Sequence, residues 1–130
     1  MYDNMNYKLR FKNISFHNNF MEEEKSGFVK LFGDYPAIRV IDFLITFREF
    51  DYSLSDIAEN AGVAWSTIHT FFPELVRTRI VRETRQIGRA KLYKLNAENP
   101  VVKELITLDN KLIHELAEDL AMEKIVVRSK

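Results

Sequence analysis

The chain has 130 residues, with 19 Lys and Arg balancing 19 Asp and Glu, a formal net charge of zero and no cysteine. That length predicts one domain with a core large enough to fold without staples or metals. Missing cysteine excludes disulfides, thiolate metal sites and cysteine nucleophiles, and points to a reducing, cytoplasmic setting. Electroneutrality argues against a protein that coats nucleic acid indiscriminately.

The charge is nevertheless sorted along the chain. Between Ala64 and Lys94 the cations are Arg77, Arg79, Arg82, Arg85, Arg89, Lys91 and Lys94, against only Glu74 and Glu83. No apolar run approaches the roughly 18 residues that cross a bilayer, and the first residues lack the apolar stretch of a signal peptide, so neither membrane nor secretion is expected.

In chain order, residues 1–33 read as an N-terminal extension or arm. Alternation at Tyr7, Leu9 and Phe11 suggests an edge strand or a disordered arm, and Met21 before an acidic run suggests the native start. Asp34 as cap and Pro36 in the first turn predict a helix to about Glu49. Its apolar residues leave a narrow polar stripe through Arg39, Asp42, Thr46 and Glu49, so it is expected to be buried on more than one side. The extra cover must come from the N-terminal segment or from another subunit. A subunit is the preferred reading, with Ile41 and Leu44 at the interface.

Ser53 and Asp56 have capping-box spacing, with Ser55 as an alternative cap, for a second helix carrying Ile57, Ala58 and Ala61 inward. Gly62 supplies its end, and Val63 plugs the corner. A third helix starts near Trp65, with Ile68, Phe71, Phe72 and Leu75 at the spacing of a buried face. Pro73 inside it predicts a bend. Ile80 to Thr84 and Lys91 to Leu95 read as strands joined through Ile87, Gly88 and Arg89. Arg82, Arg85, Arg89, Lys91 and Lys94 on this hairpin are spaced for phosphates along a duplex. Asn99 and Pro100 open a last helix whose Leu105, Leu108, Leu112, Leu116 and Leu120 form a coiled-coil-like stripe interrupted by Asp109, the expected dimer contact.

The run from Ser53 to Asn96, with SDIAENAGVAWSTIHTFFPEL followed by a basic hairpin, resembles the winged helix-turn-helix of bacterial and archaeal transcription regulators of the broad MarR and ArsR type. The resemblance implies a mainly α fold with a small β-hairpin wing, a winged domain over 34–96, and a dimerisation helix and tail over 97–130. It further implies a homodimer on double-stranded DNA. The third helix would enter the major groove, with Trp65, Ser66, His69 and Thr70 facing bases and Thr67 near phosphate, while the wing sits on the backbone or minor groove. Members often carry Arg, Gln or Asn on this half of the helix, which discriminate bases by paired hydrogen bonds. None is present here, so direct readout is expected to be thin, with apolar contacts to thymine methyls and shape readout by the wing. Arg79 stands where the family usually has Gly, which suggests a differently built helix end.

The rival reading is a winged-helix protein-interaction module that does not touch DNA. Catalysis is not expected. His17, His69 and His114 fall on different elements, the pair His114 and Glu118 is a poor metal signal, and the glycines form no phosphate loop. No metal, cofactor or identifiable small-molecule effector is called for.

Overall fold

The computed structural model describes residues 25–128, with side chains through Asp119. Tyr7, Leu9, Phe11, His17, Met21 and the Leu120 side chain lie outside what is described. The elements are α1 (Gly27–Phe32), α2 (Pro36–Thr46), β1 (Tyr52–Ser53), α3 (Leu54–Ala61), α4 (Trp65–Arg77), β2 (Val81–Ile87), β3 (Ala90–Leu95) and α5 (Pro100–Arg128). The three strands form one antiparallel sheet in the order β1-β3-β2. This is a mainly helical winged-helix fold with a small sheet and a long terminal helix.

The core lies between α2, α3, α4 and the root of the sheet. Val40, Leu44, Ile45, Ile57, Ile68, Val81 and Val102 are all but sealed from solvent, and Phe28 from α1 joins the same cluster. Each such side chain contributes roughly 1.5–3 kcal/mol by leaving water. Helix α2 is buried on more than one side, and α1, from the N-terminal segment of the same chain, packs against it. Ser26 caps α1 by accepting from the Val29 N–H at 3.1 Å, and its hydroxyl donates to Asp42 at 2.8 Å. Asp42, in the narrow polar stripe of α2, is therefore 2% exposed and hydrogen-bonded inside. Leu44, expected at a dimer interface, is spent in the core of its own chain and has no surface left for a partner. Ile41 also packs against that core and is only half-buried.

The start and end of α2 also differ from expectation. Tyr35 occupies the cap position without a side-chain bond, while Asp34 takes Lys25 and Arg39, each at 3.0 Å. Burial acts to raise the Asp34 pKa, yet those two cations hold it below the ordinary carboxylate value. The helix stops at Thr46, where the Arg48 guanidinium donates to the Ile45 carbonyl and satisfies an otherwise open helix end.

The turn between α3 and α4 follows local rules closely. Ser53 caps α3 by accepting from the Asp56 N–H at 3.2 Å. Gly62 takes φ 67°, a left-handed conformation that side chains with a Cβ rarely adopt, and Val63 is buried at the corner. Arg39 reaches across from α2 to donate to the Gly62 carbonyl at 3.2 Å, fixing the turn against the core.

Helix α4 continues past Pro73 to Arg77. Pro73 is exposed, so the His69 carbonyl that loses its helical partner lies on the solvent side, where water can serve it. At the far end Arg79 does adopt the costly conformation, with φ 64°, the one positive φ outside glycine among the described residues. The Ile80 N–H donates to Leu75 at 3.0 Å and the Arg79 N–H to Val76 at 3.1 Å, the paired bonds of a Schellman ending. The Arg79 carbonyl accepts from Asn96 at 3.1 Å and Asn99 at 2.9 Å, which holds the left-handed residue in place.

The first turns of α5 pack within the chain. Val102 and Asp109 are buried, and Leu105 joins the core. A Cβ on Gly27 would stand 3.4 Å from the Leu112 Cβ, so α1 and α5 approach too closely there for a large residue. The seam that carries Leu105, Leu108 and Leu112 is thus half-covered by its own subunit, whereas Leu116 is 42% exposed. No helix among the described residues is long and apolar enough to cross a membrane.

Candidate nucleic-acid interface

Helix α4 has one buried face and one bare one. Ile68 and Phe72 are sealed in the core, while Trp65, Ser66, His69 and Thr70 are exposed and Thr67 is half-buried. Ala64 begins the helix with no side-chain cap, so the first-turn N–H groups of Trp65 and Ser66 lack a side-chain partner. Such an end suits an anionic oxygen. Trp65 is 54% exposed, and its indole meets the His69 ring edge to face at 4.5 Å and 86°. Thr70 donates its hydroxyl hydrogen to the Thr67 carbonyl at 2.6 Å.

The wing packs on this helix. Phe72 meets Tyr93 of β3 edge to face at 5.0 Å, which joins helix and hairpin through a buried aromatic contact. The strands are longer than their sequence suggests and close through a two-residue loop, Gly88 and Arg89, with Ile87 opposite Ala90.

A bulge at Thr84 breaks the register between Glu83, opposite Tyr93, and Arg85, opposite Leu92. Thr84 donates to Asp51 at 2.5 Å, and Arg85 grips the same carboxylate through Nε at 2.9 Å and a terminal nitrogen at 3.1 Å. Arg85 and then Thr84 hold the Asp51 pKa down to about 2. The Arg85 charge, expected on a phosphate, is already met by an acid of its own chain.

The register sorts the remaining cations by face, because opposed residues of an antiparallel pair share a side and side chains alternate along the strand. Arg82 and Lys94 are opposite each other on the side that also carries Arg85. Lys91 falls on the other side with Glu83, 3.9 Å away. Arg89 is at the tip. The five cations therefore do not form one row. Arg89 and Lys91 line a shallow cleft with Trp65, Ser53, Leu54, Ser55, Ala90 and Tyr93. The fold thus brings Trp65, Arg89 and Lys91 together and leaves Arg82, Arg85 and Lys94 away from that cleft.

Spacing alone presents Ser53 and Ser55 only as helix caps, and their place in the cleft depends on β1 pairing with β3. Asp51 gave no local signal, since its partners lie 33 and 34 residues onward. Among the described residues no three His, Asp or Glu side chains are grouped to hold a metal.

No family model matches this chain, and no curated protein matches it. Among solved structures it is similar to a double mutant of ZitR from Lactococcus lactis in apo form. The two share 18% identity at a TM-score of 0.55, over 86% of this chain and 86% of that one. At that identity the likeness concerns the fold, and it places this chain among winged-helix architectures of the kind found in that protein.

Proposed function

We propose that the chain is a double-stranded DNA-binding transcription regulator that acts as a homodimer, with α4 in the major groove and the wing on the backbone or minor groove. The observation that carries this reading is the opening of Trp65, at the start of the bare face of α4, and the cationic wing tip onto one cleft. A helix start aimed outward, flanked by Arg89 and Lys91, supplies phosphate contacts on both sides of a groove-sized helix. The neighbour's fold supports the same reading.

Trp65, Ser66, His69 and Thr70 are the base-facing side chains on this reading, with Thr67 near the backbone. Arg89 and Lys91 are the principal wing contacts, and Arg82 and Lys94 reach phosphate only from the opposite face. The dimer contacts on this reading are Leu108, Leu112, Leu116 and Leu120 of α5, with Leu105 and Ile41 contributing beside the core of their own chain. Two copies related by a two-fold axis would read half-sites about one helical turn apart. The protein works by binding, in the cytoplasm, with no catalytic step and no assigned effector.

The test is fluorescence anisotropy of a labelled duplex titrated with the full chain at several salt concentrations. Binding whose log K falls with log salt at about 0.9 per phosphate contact supports the reading. If no duplex binds at about 50 mM salt, where backbone contacts are strong, the fold serves protein interaction instead.

A further inference from the structure

We infer that α4 reads the C5 methyl group of pyrimidines in the major groove, with Trp65 and Thr70 as the reading residues. This rests on the proposed DNA-binding function and names what that site recognises. From Trp65 to Pro73 the helix contains no amide, guanidinium, ammonium or carboxylate side chain, so it lacks every group that pairs bidentately with guanine or adenine.

What it offers instead is apolar and held in place. The indole of Trp65 is more than half exposed and braced by the edge-to-face contact with His69 one turn on. The hydroxyl hydrogen of Thr70 is committed to the Thr67 carbonyl, which makes its methyl the group free to meet a base. Trp65 and Thr70 are five residues apart, about 7.5 Å along the helix axis and about 140° around it, so they flank the exposed Ser66 and His69 on either side of the bare face. In the major groove thymine differs from cytosine by a methyl and by the reversed polar group, and an apolar surface distinguishes only the methyl. The same surface therefore accepts thymine or 5-methylcytosine.

The test begins with duplexes enriched from a random pool by the full chain. Each thymine of the enriched half-site is replaced by deoxyuridine, which deletes the methyl and leaves the pairing edge intact. Affinity should fall about fourfold for each contacted methyl. In a second arm a T·A pair is replaced by C·G or by 5-methylcytosine·G, and the methylated duplex should bind about fourfold better than the unmethylated one. Thr70→Ser keeps the hydroxyl and its backbone bond but removes the methyl. That variant should bind the thymine duplex about fourfold more weakly and lose its sensitivity to deoxyuridine at one position. Equal binding of thymine and deoxyuridine duplexes by the unmodified chain overturns the methyl reading and leaves DNA binding standing. Failure to enrich any duplex overturns both.

Discussion

Helix α4 and the wing share a cleft but offer opposite chemistry. The exposed half of the helix is uncharged and partly aromatic, whereas the hairpin beside it holds most of the cations of the region. Charge acts over a Debye length and ignores sequence, while close contact with base edges acts over a few ångströms and depends on it. On the proposed function, separating the two lets the wing set affinity and salt dependence without fixing which bases the helix accepts. The wing is itself divided: Asp51 neutralises Arg85 on one face, Lys91 stands on the other with Glu83 3.9 Å away, and Arg89 at the tip shares the cleft of Lys91 and Trp65.

The comparison breaks most severely if helix and wing are not one body. Phe72→Ala removes a sealed core ring and the Tyr93 contact, and should cost about 3–5 kcal/mol in denaturant unfolding. A loss under about 1 kcal/mol would mean that α4 and β3 are not joined through this pair. Next in size is Arg89→Glu with Lys91→Glu. The slope of log K against log salt should become shallower by about 1.8, corresponding to two phosphate contacts, while thermal unfolding is little changed.

Asp51→Asn sharpens the division within the wing. Releasing Arg85 should strengthen duplex binding and steepen the salt slope by up to about 0.9. The same change should flatten the acid limb of stability. Because the folded pKa of Asp51 is depressed to about 2, its contribution is complete above the unfolded carboxylate value near 3.9 and is lost as pH falls through about 2. An acid unfolding profile that is the same for both proteins would remove Asp51 from this role. The smallest expected effect is Arg79→Gly. Relief of the left-handed conformation, offset by the greater freedom of glycine when unfolded, should stabilise by up to about 1 kcal/mol, read as a higher Tm.

How much was legible in the sequence depends on distance along the chain. Ser53, Gly62, Val63, and the spacing of Ile68 and Phe72 are local signals, and the turn between α3 and α4 is built from them. Helix α1 is hidden because six residues carry too little periodicity to announce a helix, although Phe28 is buried in the core. Without that helix the apolar arc of α2 points equally to the N-terminal segment and to a subunit, and Leu44 is buried within its own chain. Asp51 with Thr84 and Arg85 was hidden for a different reason. Ion pairs between distant residues follow from the bulge and the sheet order, neither of which any short window of sequence contains. Arg79 is intermediate: its backbone cost was foreseeable, but the two Asn amides that hold its carbonyl come from residues beyond the hairpin.

The central claim is that the N-terminal half of α4 meets the duplex, and Trp65, the single tryptophan of the chain, reports on it directly. Titrating unlabelled duplex at low salt while recording tryptophan emission should give a saturable change in intensity and wavelength that tracks anisotropy of the same DNA. Binding seen by anisotropy with Trp65 emission unaltered would place the duplex elsewhere on the molecule and contradict the account.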